Sequence, residues 1–570
     1  MNEGRASTSG PLPGTDGPRT RASEGPPDDV EVVVIGFGPS GTVATSLLGS
    51  HGIRTLAVDR HRVVYDKPRA IALDHEILRL FDNLGVADRV LPHVAPFPAS
   101  QHFGAQGQLI RRIDMVPQPY PLGYTPTMVF TQPPVEAALR DHAASYDSVE
   151  VSLGTELLDL DQTDERVTLR LRSDDGQTRT VTASYVVACD GASSGVRRGL
   201  GIEFEDLVFD EPWLVVDVLM HEGALGRLPQ TAAQYCDPAR PASFIVGPGI
   251  HRRWEIMLLP GEDPRAMEQP AGVWALLSRW ITPEDGVLWR AASYRFHALV
   301  AREWRRGRIF LAGDAAHQQP PFLGQGMCQG LRDVSNLAWK LQRVLDGRSG
   351  DALLDTYAEE RGDHVRELTT RIKAIGRVIC ERDPEAARAR DERILADGGG
   401  QPRTLTRQEI VPPLREGLLA PGSDPGRGTL FPQPRVLCGA GSILMDAAFG
   451  AGWRLVIDDR EGFDLPATVL READEIGLRV LRLHTGEAVT DAGEGDGASL
   501  VENDGVLARW FDAHGCHAAI VRPDHYIYGV ASDGPSLADL ARGLTVHLRG
   551  DRITAPDLLT PAPFRHPQAA

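Results

Sequence analysis

Residues 30–59, VEVVVIGFGPSGTVATSLLGSHGIRTLAVD, contain a complete strand–turn–helix–strand unit. Val30–Ile35 is an apolar, β-branched run that suits a buried parallel strand. Gly36-x-Gly38-x-x-Gly41 follows at once, with Pro39 and Ser40 inside it. A helix carrying Val43, Leu47 and Leu48 comes next, then a second strand, Arg54–Val58. Asp59 ends that strand and Arg60 follows. In this context the glycines serve a tight turn, a close backbone approach to a pyrophosphate and helix–strand packing, and the acid accepts from a ribose hydroxyl. The unit predicts a dinucleotide-binding α/β fold. It does not separate FAD from NAD(P), because both carry that ribose.

A second stretch, 308–341, RIFLAGDAAHQQPPFLGQGMCQGLRDVSNLAWKL, favours FAD. The strand-like Ile309–Ala312 ends in Gly313-Asp314, and Gly324-Gln325-Gly326 opens a long helix. Met327, Leu331, Val334, Leu337, Ala338, Leu341 and Leu345 fall on one helical face. Asp314 offers a carboxylate to the hydroxyls of a sugar-like chain. The glycines let backbone N–H groups approach an electron-rich ring at the positive end of a helix dipole. A flavin has both features.

A third segment, 185–201, YVVACDGASSGVRRGLG, pairs a strand with Asp190-Gly191 and the basic Arg197-Arg198. With it the chain resembles the single-component FAD-dependent aromatic hydroxylases, the family of p-hydroxybenzoate, phenol and 3-(3-hydroxyphenyl)propionate hydroxylases. The landmarks, in the family's order, are Gly36-x-Gly38-x-x-Gly41, Cys189-Asp190-Gly191 and Gly313-Asp314-Ala315-Ala316-His317, supported by Pro68-Arg69-Ala70 and Gln132-Pro133. The resemblance covers roughly residues 30–400 and speaks to fold and cofactor, not substrate. Many members carry Gly-Met-Asn in the flavin loop; here it is Gly326-Met327-Cys328, and Cys328 reads as a packing residue ahead of a reactive thiol.

The resemblance implies FAD as cofactor, NAD(P)H and O2 as co-substrates, and hydroxylation of a phenolic or polyketide-like aromatic substrate through a flavin C4a-hydroperoxide. It implies Arg69 on pyrophosphate or ribityl oxygens, Gln132 on the ribityl chain and Asp314 on FAD. Pro320 and Pro321 would wall the flavin, and their carbonyls could accept a substrate hydroxyl. His317 is a neighbouring candidate for catalysis or for loop support. Tyr235, Arg252, Trp254, Tyr294 and His297 are candidates for the substrate pocket. Baeyer–Villiger oxidation or epoxidation on the same scaffold, and a non-catalytic flavin-binding redox sensor, are the competing readings.

Composition bounds the rest. A chain of 570 residues predicts more than one core. A net charge of −18 argues against a broad nucleic-acid or anionic-membrane surface. No transmembrane run is visible, and residues 1–29, rich in Gly, Pro, Ser and Thr, read as a disordered tail. Six scattered cysteines, with no CxxC and no metal-ligand spacing, fit free thiols in the cytoplasm. No second strand-linked GxGxxG follows, so NAD(P)H has no Rossmann unit of its own.

The expected architecture is α/β: a Rossmann-type FAD-binding domain (30–100, 130–205 and 290–395) with an inserted β-sheet substrate domain (101–129 and 206–289). A linker (396–436) leads to a thioredoxin-like domain (437–570) without CxxC, for which a structural or homodimer-contact role is the plain expectation.

Overall fold

The computed structural model describes residues 29–439, 441–485 and 497–550. The expected tail lies outside the described residues except for Asp29, which begins the first strand. The β-branched run around Val32–Val34 is fully buried and forms the middle of an eight-stranded sheet. Its neighbours are parallel: Thr55–Asp59 on one side, and Thr178–Ala188 then Ile309–Leu311 on the other. The helix Pro39–Ser50 packs against the long helix Gly326–Leu345, so the two glycine-rich segments, far apart in sequence, meet.

A nine-stranded sheet stands beside this unit. Its centre is formed by Gly286–Ala301, Phe204–Met220, His251–Met257, Ala242–Val246, Ala232–Tyr235, Ser100–Phe103 and Leu109–Asp114, in that order. The strand Gly286–Ala301 runs along Phe204–Met220 for most of its length, so it carries the sheet past the expected boundary near residue 290. The far edge is Arg403–Thr406, which pairs with Leu109–Asp114. Residues 396–436 are therefore more ordered than a linker. Leu414, Leu418, Leu419 and Phe431 are buried there, because the C-terminal unit covers them.

The two faces of this sheet are distinct. Leu214, Val216, Phe244, Trp254 and Ile256 pack with Val273 and Leu277 of the helix Pro270–Leu277. The opposite face presents Trp213, Val215, Met257 and Phe296 to Phe322, Leu323 and the helix Asp355–Cys380. Strand alternation sends odd and even positions to opposite faces.

The C-terminal unit is a five-stranded mixed sheet, ordered Ala498–Leu500, Arg479–Leu483, Arg454–Asp458, Ala518–Val521 and Ile527–Ala531. Helices Ala467–Ile476 and Gly534–Arg549 share one core with Leu455, Ile457 and Ile520. The helix Val506–His514 covers Val456, Leu481 and Val521 on the other face. Buried polar contacts fasten this unit to two helices: Asn336 Nδ2 and Trp339 Nε1 of the long helix donate to Asp524, and Arg522 pairs with Glu360 of the helix Asp355–Cys380. Among the described residues no helix is long and apolar enough to cross a membrane. No acidic, histidine or cysteine cluster there could hold a metal.

Candidate functional site

Three loops leave the carboxyl ends of three adjacent parallel strands, the place where open α/β sheets bind ligands. They are residues 36–41, 189–195 and 312–316, and backbone bonds hold them side by side. Cys189 N–H donates to Ile35 O at 2.7 Å, and Ala312 N–H to Ala188 O at 3.0 Å.

The glycines of the first loop have different tasks. Gly36 has a φ of +93°, and a Cβ there would lie 2.4 Å from Cys189 O. A Cβ on Gly41 would lie 1.8 Å from Gly36 O. Protein atoms exclude side chains at both. Gly38 differs: a Cβ there would meet no protein atom within 4 Å. Packing does not require that glycine, but close approach of a ligand does. Asp59 grips the loop, with Oδ2 accepting from Phe37 N–H at 2.8 Å and Oδ1 from His61 N–H at 2.7 Å. Arg60 is exposed and rests against His61.

Asp314 is solvent-exposed yet hemmed in by protein. Desolvation raises its carboxyl above the ordinary value, and His317 and Arg69 oppose that shift. This combination describes a carboxylate at the floor of a recess. Gly313 beside it has a φ of +61° and no room for a Cβ, which would lie 2.6 Å from Ser40 Oγ. Ser40 thus keys the first loop to the third. In the second loop, Asp190 Oδ2 accepts from Val196 N–H at 3.1 Å, while its Oδ1 is buried without a partner. Gly191 follows at a φ of +82°. An orphaned carboxylate oxygen, an open glycine and a recessed acid around one opening fit the hydroxyls and pyrophosphate of FAD.

The loop 320–326 closes the next side. Pro320 is buried and Pro321 half-buried. Gly324 adopts a φ of +60°, and its position against Ala72 leaves only 2.7 Å for a Cβ. Arg407 donates to Leu323 O and fixes the turn. Gly326 faces open space at the N-terminus of the long helix, and Met327 is half-buried beside it. Cys328 is fully buried, with Sγ 4.0 Å from Ala72 O, and burial pushes its thiol well up. It packs.

Two expected site residues are engaged with the chain itself. His317 is 1 % exposed, stacks on Trp304 and bonds through Nε2 to Asp333 Oδ2 at 2.7 Å. Its Nε2 is committed to Asp333, which fits the loop-support role. Asp333 also accepts from Gly313 N–H and Arg361 Nε, both at 2.9 Å, so His317 and Asp333 brace the Gly313 turn. Burial works against the Asp333 carboxylate, but His317 and Arg361 outweigh it and hold the carboxyl below its usual range. Gln132 is likewise engaged with the chain. Its Oε1 accepts from Arg69 N–H at 2.9 Å and Ala70 N–H at 2.7 Å, and its Nε2 donates to Glu136 at 3.1 Å. Gln132 therefore sets the position of Arg69, whose exposed side chain lies over Tyr65.

The five expected pocket residues do not converge. Trp254 is fully buried on the sheet face that packs against Pro270–Leu277. Tyr235 joins that cluster, stacking on Phe103 and tilting against Trp280. The Arg252 guanidinium donates to Gly249 O at 2.8 Å and His251 O at 2.7 Å, folding its own hairpin. Tyr294 is exposed beside Arg290, and His297 sits 3.4 Å from Asp210 at the sheet edge. An isolated strand sequence shows alternation but not which face meets the cleft, so face assignment failed here. Sequence reasoning also missed Gly330, where a Cβ would lie 2.4 Å from Ser40 Oγ and 2.9 Å from Gly313 Cα. Small residues at one helical position were the available signal. Arg197, noted in the sequence as basic but given no task, reaches across to Ala315 O at 3.2 Å and ties the second loop to the third.

Comparisons with known proteins agree with this geometry. Residues 29–372 match the FAD binding domain family, and residues 428–545 match the HcaD C-terminal domain family. The chain is 37% identical over 520 residues to a protein of Rhodococcus jostii (strain RHA1) named "Probable NADH-specific resorcinol 4-hydroxylase", covering 90% of this chain and 94% of that one. It is 35% identical over 547 residues to a 3-(3-hydroxy-phenyl)propionate/3-hydroxycinnamic acid hydroxylase of Mycobacterium sp. (strain JLS), covering 93% and 94%. Among solved structures, the flavin-dependent monooxygenase PieE, in complex with FAD and substrate, superposes with a TM-score of 0.77 at 21% identity, over 93% of this chain and 100% of that one.

Proposed function

Because the chain belongs to the single-component FAD-dependent aromatic hydroxylases, we propose that it hydroxylates a phenolic ring in the cleft between the three-loop recess and the nine-stranded sheet. It is an FAD-dependent monooxygenase that uses a nicotinamide and O2. NADH is the nicotinamide we favour, from the relative named for it. The observation that carries the reading is the recess itself: Gly38 open where packing leaves it free, beside the recessed Asp314 and the unpartnered Asp190 Oδ1.

FAD, when bound, supplies the chemistry of hydride acceptance and oxygen transfer. The chain does the rest. In this reading Gly36, Gly38, Pro39, Ser40, Gly41, Asp59 and Arg60 hold the adenosine and pyrophosphate half. Arg69, Asp190, Gly191, Gly313 and Asp314 hold the pyrophosphate and ribityl region. Pro320, Pro321, Gly324, Gly326 and Met327 form the wall at the ring, with the long helix dipole favouring negative charge there. The nine-stranded sheet roofs the cleft and keeps water out, which limits wasted reductant.

We also assign the C-terminal unit a thioredoxin-like fold, supported by its mixed five-stranded order with helices on both faces. All six cysteines are free, and we assign the unit a structural or homodimer-contact role in the cytoplasm. The deciding measurement is NADH oxidation by the FAD-loaded protein with a panel of phenols, with hydroxylated product and peroxide quantified together. Product should account for most NADH consumed with the right phenol. Peroxide equal to all NADH consumed, for every phenol and polycyclic aromatic tried, overturns the reading.

A further inference from the structure

The cleft-facing side of the nine-stranded sheet carries a transverse row that no functional role has yet absorbed. Register places Glu255 opposite Val215 on one neighbouring strand and opposite Ser243 on the other. Ser243 pairs with Gln234, and Gln234 with His102. Directly opposed residues bring their Cβ atoms to about 5 Å, so these four polar side chains form one continuous strip. Glu255 shares its face with Arg253 and Met257, since Trp254 and Ile256 turn the other way.

The rows on either side are covered. On one flank, Arg253 donates to Asp217 and to Arg69 O at 2.8 Å, while Ile245 and Ala232 pack on Ile71, Phe97 and Val129. On the other flank, Trp213 and Met257 pack with Phe322 and Leu323. The strip therefore lies between the segment that follows Pro68 and the loop at Pro320–Gly324, at the mouth of the recess described above.

Its members are buried but incompletely paired. Ser243 Oγ donates to Gln234 Oε1. Glu255 makes no hydrogen bond or ion pair among the described residues, although it is only 6 % exposed. His102 Nδ1 is buried without a partner. Buried polar groups are normally satisfied, so such a strip at a cleft calls for a polar ligand.

We propose that Glu255 is a catalytic residue of this cleft, a carboxylate that binds a phenolic hydroxyl of the substrate and accepts its proton, with Gln234, held by Ser243 Oγ, as the polar partner for a further hydroxyl. This rests on the hydroxylase reading. The phenol O–H bond breaks, an O–H bond forms on Glu255, and the electron pair left on the phenolate raises the electron density of the ring that is to be oxygenated. The proton returns to the product oxygen when the product leaves. The substrate class that fits is a phenol with more than one hydroxyl, because Glu255 and Gln234 offer hydroxyl partners along the strip, whereas the cation of that row, Arg111, lies beyond His102 on the next strand.

The electrostatics agree. Burial lifts the Glu255 carboxyl to about 7, with Arg253 and Arg290 pulling it down and Asp217 pushing it up. Charged or titratable groups on this side are those three, His251 on the same strand, Arg69 on the segment packed against it, and His102 with Arg111 opposite it further along the row. A proton acceptor poised near neutrality suits a phenol.

The test uses the FAD-loaded full chain and resorcinol as the probe. Resorcinol binding is followed by the change in flavin absorbance from about pH 5 to about pH 9, and the ultraviolet difference spectrum reports whether bound resorcinol is ionised. In the wild type, the phenolate signature and the rate of hydroxylation should rise through about pH 7. Glu255→Gln keeps the shape. It should retain FAD, bind resorcinol about tenfold more weakly, and lose both the phenolate signature and the pH dependence. The wild-type spectrum stands even if the variant fails to fold. An un-ionised bound phenol across the range, or a Glu255→Gln enzyme matching the wild type, overturns the proposal while wild-type product formation keeps the hydroxylase reading intact. Peroxide alone from the wild type with every phenol removes both.

Discussion

At the scale of single residues, the fingerprint glycines separate cofactor binding from folding. Valine at Gly38 meets no protein atom near its Cβ, so Gly38→Val should fold with the stability of the apo wild type and yet carry no FAD. Gly41→Ala should do the reverse first. Its Cβ falls on Gly36 O, a clash that costs about 2–3 kcal/mol of fold stability before any ligand is considered. Flavin content per chain and thermal unfolding of the apo proteins distinguish the two. Equal flavin retention by Gly38→Val would place the cofactor elsewhere. Asp314→Ala should weaken FAD by about tenfold or more, since a recessed carboxylate that pairs with ligand hydroxyls is lost. Equilibrium titration of the apo protein with FAD measures it. The sequence marked these residues because local backbone sterics mark them; for His317 it offered catalysis or loop support, and the bond to Asp333 fits loop support.

Elements carry the next level of information. The long helix was legible from its apolar spacing, and Leu331, Val334, Leu337, Ala338 and Leu341 are all buried as that spacing requires. What the spacing did not reveal is how close this helix comes to its neighbours. Gly330 lies against Ser40 and Gly313, and alanine there gains about 1 kcal/mol of helix propensity while forcing those two apart. The steric term wins, because a backbone carbon at 2.9 Å cannot yield as a side-chain tip can. Gly330→Ala should therefore lower stability and displace the Gly313 turn, so FAD affinity falls although no ligand contact is removed. Calorimetry with FAD titration checks both. A stabilised variant with unchanged affinity would show that the helix can slide. For the strands, Trp254 was an expected pocket residue, but it packs on the far face of His251–Met257, and it is Glu255 on the other face that lies on the polar strip.

Over the whole molecule, a buried salt bridge joins units that are remote in sequence. Arg79, on the helix His75–Asn83, holds Asp446 through Nε at 2.7 Å, and Arg454 of the C-terminal sheet contacts the same carboxylate. Burial opposes ionisation of Asp446, but Arg79 and then Arg454 hold its carboxyl well below the usual range. An unfolded aspartate protonates near about pH 4. The bridge therefore contributes fully at neutral pH, and its contribution declines as pH falls below that value. Asp446→Ala leaves two arginines buried and should cost about 3–5 kcal/mol at neutral pH, with the deficit shrinking in acid. Calorimetry at several pH values reads this, and a pH-independent deficit would point to packing instead of charge. The C-terminal unit should then melt before the FAD-binding unit as a separate transition.

The sequence alone determined the strand–glycine–helix unit at 30–59, the three loop motifs, the flavin and the family resemblance. All of these follow from short-range rules: which residues tolerate a positive φ, which side chains bury on a helix of a given period, which acid ends a strand. The tertiary structure decided what depends on register and docking. Glu255, Ser243, Gln234 and His102 come from four strands and become a strip only because hydrogen-bond register sets them opposite one another. Asp333 and Arg361 brace the Gly313 turn only because two helices pack in one orientation, and Arg79 meets Asp446 across 367 residues of chain. Local conformation is written by neighbours in sequence, whereas a site built across a sheet is written by the pairing of strands.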